Sequence, residues 1–391
     1  MMFLGKLSAL TGLSLFLANP LLGTRIPFVI HVFGGMDKMF KLHKLSGKAA
    51  FYLLLCHPFA LAIGGLTAGV SFGYIWNWTS LTVILGIVGL LALAILTGVA
   101  IYAHITHQRW VKIHRLFGWL IPLFMAHALL SKSELYSNSL MLGYTLTLGA
   151  CGFTAFLYRS VLASRLIKQY VYIVAEVNHL EGSVTEIVLR PNAEELAYQP
   201  GQFAFVSFRA DGIDPEAHPY SFTTANNGPL IRFAVKALGD DTSALRSLPV
   251  GSQAYIEGPY GSFGYAMTVS DNQVWIAGGV GITPFLSMAR SLTNDTAPKI
   301  SLFYASQRLT DAAFVHELID ITRHLKNFTL HLIDSEVSGF VTPEMIRNLQ
   351  TDIHNADFLI CGPPPMMQSL RVGLSNEGVA THRIHTEDFS I

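Results

Sequence analysis

Long apolar runs fill the first half of the chain, and short alternating runs fill the second. Stretches close to the ~20 residues that a spanning helix needs occupy residues 3–22, 41–63, 80–103, 111–131 and 139–161. They predict five transmembrane helices. From Tyr170 the rhythm turns β-rich: "YVYIVAEV", "VTEIVLR", "FAFVSF", "IRFAVKAL" and "QAYIEG" are separated by glycine and proline turns, as in a small antiparallel barrel. From about Asn272, strand-like runs such as "VWIAG", "ISLFYA", "FTLHLI" and "DFLICG" alternate with helical stretches, the pattern of a parallel α/β sheet. The chain is therefore expected to be multi-domain: an all-α transmembrane bundle over 1–168, an antiparallel β-barrel over 169–268 and an α/β parallel-sheet domain over 269–391.

Composition sharpens this division. Of 391 residues, 51% are hydrophobic and only 13% charged, well off the soluble norm. Lysine plus arginine and aspartate plus glutamate both number 26, and no basic stripe carries interleaved aromatics, so nucleic acid is not an expected partner. Cys56, Cys151 and Cys361 are scattered without paired ligand spacing, which excludes a zinc-site reading and fits a chain without structural disulfides. The N-terminus is weakly basic and lacks a small-residue cleavage site, so it reads as a retained first helix. Arg25, Lys38, Lys41, Lys44 and Lys48 precede the second span, Arg109, Lys112 and Arg115 lie between the third and fourth, and Arg159, Arg165 and Lys168 follow the fifth. The segment from Gly64 to Ser80 has no lysine or arginine. By the positive-inside rule, spans two and four run outward, the protein is a multi-pass cell-membrane protein, and its second half is cytoplasmic.

Four histidines stand out in this frame. His43 and His57 are fourteen residues apart, which on a helix means about 21 Å of rise and a return to within about 40° of the same face. His114 and His127 offer a second pair at similar depths, so two neighbouring helices can present matched imidazoles at two levels, and two bis-imidazole haems fit between them. The spacing of thirteen would turn His127 about 140° from His114 on an ideal helix; Gly118 and Pro122 lie between and are expected to supply a kink or local rewinding. Lys41, Lys44, Lys48, Lys112 and Arg115 are placed to neutralise haem propionates, with snorkelling and topology signalling as the competing reading. His31, His104 and His107, in loops or at helix ends, read as interfacial.

The second half carries three motifs. "HPYSFTTAN", residues 218–226, follows a barrel strand, and "GDDTSAL" follows the next, as expected where a flavin lies against a barrel with its diphosphate at a helix start. In "IAGGVGITP", a strand runs into Gly278, Gly279 and Gly281 before a helix opening at Thr283 and Pro284. Such glycines let backbone approach a pyrophosphate. "LICGPPPMM" ends a late strand in a sharp turn at Cys361, Gly362, Pro363 and Pro364, where a nicotinamide has room to rest. Each motif alone also reads as an ordinary loop.

Taken in order, "QPGQF", "HPYSFT", "EGPYG", "AGGVGITP" and "CGPPPMM" resemble the ferredoxin-reductase flavoprotein fold. Joined to the histidine pairs, the chain resembles the ferric reductase and NADPH oxidase family along essentially its whole length. That resemblance implies FAD at His218, Pro219, Tyr220, Ser221, Phe222 and Thr223 and around Thr242 and Ser243. It implies NAD(P)H at Gly279 to Pro284 and Cys361 to Pro364, with Cys361 near the reacting ring. Phe389 in "HTEDFSI" matches the terminal aromatic that rests on the isoalloxazine. Ser306 and Arg308 in "YASQR" are placed to hold the 2'-phosphate of NADPH, against a solvated loop as alternative, with NADH also possible. Family members commonly show six spans against five here, which puts Lys6 where oxidases can carry a cation near the outer haem. Leu120 occupies the position of an inter-haem aromatic, with Trp119 as a substitute or a packing residue.

The expected chemistry follows from electron counting. NAD(P)H gives a hydride, whereas a haem accepts one electron, so a flavin is needed between them. The acceptor is expected outside, first as oxygen giving superoxide, with a ferric chelate or a separate redox partner as alternatives. The nearly uncharged outer loop "GGLTAGVSFGYIWNWTS" disfavours a charged chelate. Membrane lipid is the expected environment, and no obligatory protein partner is predicted.

Overall fold

The computed structural model describes residues 2–70, 79–131, 138–294, 298–349 and 352–388. The chain forms two compact units, Met1–Ile167 and Lys168–Ile391. Among the described residues of the first unit, five helices are long and apolar enough to cross a membrane: Met2–Gly23, Met36–Thr67, Leu81–Tyr102, Gln108–Leu130 and Ser139–Val161. The second is longer than its apolar run predicts. Its first turns carry Lys38, Lys41 and Lys44 and extend the helix past the hydrophobic stretch, back to Gly35 at φ 125°. The first span ends in a 3-10 turn over Asn19–Gly23, and the fifth in a π turn over Leu157–Val161.

Glycines let these helices approach closely, the device that replaces the hydrophobic effect inside a bilayer. A methyl on Gly12 would press on Leu53 and Leu54, and one on Gly152 would run into the Leu17 carbonyl. Leu13, Leu17, Leu93, Leu120, Ile121 and Phe124 form the centre of the bundle.

The fourth span is interrupted at the turn that runs into Gly118, and not at Pro122. Helix His107–His114 stops at Arg115 and a second helix runs from Leu116 to Leu130 with Pro122 inside it. The Gly118 amide donates to the Arg115 carbonyl at 3.3 Å, an i to i+3 bond that winds this turn more tightly than an α-helix. Gly118 serves packing as well, for a methyl there would collide with the Phe156 ring.

The second unit opens with six antiparallel strands: β1 Tyr170–Leu180, β2 Val184–Pro191, β3 Phe203–Arg209, β4 His218–Ser221, β5 Ile231–Lys236 and β6 Gln253–Tyr260. Their order is β4-β3-β6-β1-β2-β5, and a bridge between Phe222 and Phe233 joins the two ends. The sheet thus closes into a barrel around Tyr172, Ile187, Phe222, Phe233 and Ile256. Strand β2 departs from simple alternation, being buried from Val184 to Leu189. Its outward positions are covered too, Val184 packing with Ala234 and Ala313.

Five parallel strands follow: β7 Asn272–Gly278, β8 Lys299–Ser306, β9 Phe328–Asp334, β10 Asp357–Cys361 and β11 Ile384–Glu387. Their order is β11-β10-β7-β8-β9. The chain therefore steps one way from β7 and then returns to β7's other side, making the gap between β7 and β10 the point where strand order reverses. Ligands of open α/β sheets bind at the carboxyl ends of strands at such a point.

Candidate functional site

Within the membrane unit three of the four histidines are set by backbone carbonyls of neighbouring helices. His43 Nδ1 lies 3.1 Å from the Asn19 carbonyl, His57 Nδ1 2.9 Å from that of Gly5, and His127 Nδ1 2.8 Å from that of Thr82. A histidine held through Nδ1 presents Nε2, which is how metal-ligating imidazoles are oriented. The first and second spans run antiparallel, with Gly5 at the level of His57 and Asn19 at that of His43, where the Asn19 amide also donates to the His43 carbonyl and Ser46. Gly86 leaves room for the His127 ring, since a methyl there would sit 2.7 Å from it.

The histidines meet in pairs. The His43 and His114 ring centres are 6.0 Å apart; His57 and His127 lie within electrostatic reach of each other. Two imidazoles on opposite sides of one iron, each bonded at about 2 Å, put their ring centres roughly 6 Å apart. Trp110 stacks on His114 at 4.6 Å, while His114 Nδ1 is buried with no hydrogen-bond partner. Among the described residues no group of three or more His, Cys, Asp or Glu could hold a metal ion. A metal placed here would bring most of its ligands with it, as a porphyrin does, and take only axial imidazoles from the chain. The donor set thus fits haem.

Residues around the pairs sort differently from their sequence expectations. Trp119 is 52% exposed, edge-on to Phe153 and Phe156, whereas Leu120 is buried in the bundle. The tryptophan is a packing residue on the outer surface of the helix, not a bridge between the pairs. Lys6 is half-buried one residue from Gly5 and so stands at the level of His57. Lys41, Lys44, Lys48, Lys112 and Arg115 are all exposed, Lys41 with Asp37 at 3.9 Å. His31 lies exposed on a short helix, Pro27–Val32, and His104 exposed in a connection.

In the second unit the structure joins two of the three motifs directly. Added methyls on Gly278 and Gly362 would strike Met366, and one on Gly281 would run into the Cys361 carbonyl and Gly362. The turns after β7 and β10 thus pack backbone on backbone at the strand-order reversal. Gly279, by contrast, has φ +55° and open space around its Cβ position, the free approach a pyrophosphate requires. Thr283 donates its hydroxyl to the Val280 carbonyl at 3.0 Å, closing the turn at the start of helix Thr283–Ser291, with Pro284 in its first turn.

That same helix reaches the remaining motif, residues 218–226. Ser287 donates to the Thr224 carbonyl at 2.6 Å, and Arg290 Nη1 to the Thr223 carbonyl at 2.7 Å. Arg290 also holds Glu317 through two bonds of 2.6 and 2.8 Å and lies 3.6 Å from Glu186, which Arg232 pairs from the other side at 3.2 Å. Glu186 sits at an outward strand position that would ordinarily face water, yet it is buried. These residues were not singled out in the sequence; a lone arginine seven residues beyond Thr283 gives no local signal of a partner on another domain.

The flavin motif divides into lining and support. His218 Nε2 and Thr223 Oγ1 are buried without hydrogen-bond partners, polar groups that a bound ring or phosphate would satisfy. Burial first, and Asp241 second, push the Tyr220 hydroxyl far above its ordinary range, so it stays a neutral donor. Pro219 is partly exposed and Ser221 buried. The Phe222 ring, however, belongs to the barrel core, stacked on Tyr198 at 4.0 Å, and is no flavin contact. Thr242 Oγ1 accepts from the Leu238 and Gly239 amides and caps its own turn, leaving Ser243 exposed beside it. Arg246, four residues on, keeps a buried Nη1 without a partner and was missed because it lies outside the quoted motif.

The remaining expected site residues are placed as follows. Cys361 is buried in the core of the parallel-sheet domain, where burial foremost, then Glu387 and Asp388, push its thiol well up. It is a neutral packing group at ordinary pH, and its carbonyl rather than its sulfur faces the Gly281 turn. Ser306 ends β8, and Arg308 is paired with Asp311 at 2.9 Å. Phe389 lies outside the described residues.

Three family models match the chain in order: ferric reductase like transmembrane component over residues 8–125, FAD-binding domain over 169–264, and oxidoreductase NAD-binding domain over 275–371. The anthranilate 1,2-dioxygenase electron transfer component of Acinetobacter baylyi is 30% identical over 210 residues, covering 51% of this chain and 60% of that protein. A flavohemoprotein of Rhizobium meliloti is 27% identical over 241 residues, covering 56% and 60%. The chain thus spans less than two thirds of either relative. Among solved structures, flavohemoglobin from Malassezia yamatoensis with bound FAD and heme matches at TM-score 0.53 and 18% identity over 78% of this chain and 85% of that one. The cytochrome b5 reductase domain of Ulva prolifera nitrate reductase matches at 0.50 and 21% over 56% and 97%. At these identities the likeness is one of fold.

Proposed function

The chain is a membrane oxidoreductase with the domain order of the ferric reductase and NADPH oxidase family, and from that premise we propose that it carries electrons from NAD(P)H on the cytoplasmic face to an acceptor on the outer face. The observation that carries this reading is the set of three span histidines fixed through Nδ1 on carbonyls of adjacent helices, two levels deep. His43 with His114 would hold the inner b-type haem and His57 with His127 the outer one. When bound, FAD turns a hydride into single electrons and bis-imidazole iron carries them one at a time.

The chain's own residues do the positioning. Gly279 opens the backbone to the nucleotide diphosphate, the Gly281 and Gly362 turns fix the cleft beside it, and Ser287 with Arg290 anchor the flavin strand to the nucleotide-binding helix. Tyr220, held neutral, and His218 offer hydrogen bonds to the flavin. Lys6 stands where a cation would stabilise a developing anion at the outer level.

The favoured acceptor is oxygen, with one NAD(P)H and two O2 giving NAD(P)+, one proton and two superoxide ions. A ferric acceptor is the second reading, favoured by the family model over residues 8–125. Purified full-length protein is tested for NAD(P)H oxidation under air with cytochrome c reduction sensitive to superoxide dismutase. Turnover that needs added ferric chelate and yields no superoxide would move the assignment to iron. In parallel, His57→Leu is expected to lose the outer of two haems while NAD(P)H still bleaches the flavin. Full haem content in that variant would refute the ligand assignment.

A further inference from the structure

The nucleotide's ribose end tells which dinucleotide the site takes. β7, the glycine turn, helix Thr283–Ser291 and β8 make one βαβ unit, and in such a unit the adenosine ribose lies at the carboxyl end of the second strand. Here that end is Ser306, Gln307 and Arg308, beside the end of β9, where Ser306 pairs with Asp334 in register.

Arg308 is the cation that a 2'-phosphate would need, and it is already engaged. Its Nε and Nη2 reach Asp311 Oδ2 at 3.0 and 2.9 Å, and Glu336 and Asp334 also act on it electrostatically. Glu336 is held at this corner by Gln307, whose side-chain amide donates to it at 2.9 Å, while the Gln307 carbonyl accepts from the Glu336 amide. Asp334 accepts from the amides of Leu309 and Glu336, so its carboxylate is fixed in place. One guanidinium thus faces three carboxylates. A phosphate monoester brings a further charge of about −1.5 to −2 into a corner that is already net negative. A ribose hydroxyl, by contrast, is a donor that a carboxylate accepts.

We infer that the carboxylates Asp311, Asp334 and Glu336 around Arg308 make the chain selective for NADH over NADPH. The inference rests on reading the second unit as an NAD(P)H dehydrogenase and reverses the NADPH expectation drawn from Ser306 and Arg308 in the sequence. Arg308 here closes the loop after β8 through Asp311, and is not the phosphate's counter-ion.

The test uses the full-length flavin-loaded protein in detergent, with anaerobic stopped-flow bleaching of the flavin by NADH and by NADPH, so that no external acceptor enters. At least tenfold higher efficiency with NADH is expected, carried by the concentration dependence. Arg308→Ala, which removes the one positive charge of this corner, should keep the NADH preference or raise it. Asp311→Asn combined with Glu336→Gln should raise the NADPH-to-NADH ratio at least fivefold. Equal or better bleaching by NADPH in the wild type, a turn towards NADPH in Arg308→Ala, or an unchanged ratio in the double carboxylate variant overturns the inference. Bleaching by neither nucleotide would overturn the dehydrogenase reading itself and this inference with it.

Discussion

Arg290→Ala is the substitution whose cost can be worked out most fully from the structure. The arginine side chain is 17% exposed and Glu186 6%, so the cluster that they form with Arg232 and Glu317 is largely out of water. Truncation leaves the Thr223 carbonyl without its 2.7 Å donor, a loss of about 1–3 kcal/mol for a buried acceptor. Removing one partner of a buried ion pair costs about 3–5 kcal/mol when the remaining charge is stranded. Here it is not stranded, since Arg232 stays on Glu186 at 3.2 Å and Glu317, 37% exposed, turns to water. The lost carbonyl bond remains as the cost, about 1–3 kcal/mol, or roughly five- to a hundredfold in the local opening constant. Native-state hydrogen exchange reads it at the amides of Phe222 and Thr223, which donate to the carbonyls of Gln202 and Arg232. Glu317→Gln alone should cost about 1 kcal/mol, and the double variant less than the two added. Protection that falls less than threefold in Arg290→Ala, or strict additivity in the cycle, would refute the view that this arginine ties the nucleotide helix to the flavin strand.

Periodicity carried the architecture because five apolar stretches and two strand rhythms each have one cheap way to bury themselves. It also singled out the four histidines, of which His43 and His57 share one helix while His114 and His127 stand on two helices separated at Arg115. What it misplaced depends on partners distant in sequence. Gly118 and Pro122 both advertise bending, yet only the turn from Arg115 to Gly118 is wound tightly, while Pro122 sits inside a continuous helix. Trp119 and Leu120 are adjacent, and only the packing of neighbouring helices decides which of them faces inward. Glu186 reads as a solvent position on β2 until a second domain covers it. Each miss is a case where charge or bulk from another element outweighed a local pattern.

Two further outcomes follow from the second unit. His331 on β9 is stacked on Phe303 at 4.5 Å, and burial pulls its imidazole below the ordinary range. The folded state therefore binds fewer protons than the unfolded one. The stability it leaves intact above about pH 6.5 is lost as pH falls from there towards the depressed folded value. His331→Phe keeps the stack and should lose less stability than the wild type between pH 7.5 and pH 5 in urea unfolding; an unchanged slope would remove the assignment. The two glycines of the turn after β7 should separate fold from binding. Gly281→Ala drives a methyl into the backbone at Cys361 and Gly362, which neither neighbour can yield without moving a sheet strand, so it should cost about 1–3 kcal/mol of stability as well as nucleotide binding. Gly279→Ala meets nothing within 4 Å and pays only for its φ of +55°, about 1 kcal/mol. Its methyl instead occupies the space left for the diphosphate, so the protein should fold and hold flavin while the NADH concentration for half-maximal flavin bleaching rises at least tenfold. If Gly279→Ala binds NADH as the wild type does, the open side of this turn is not where the nucleotide lies.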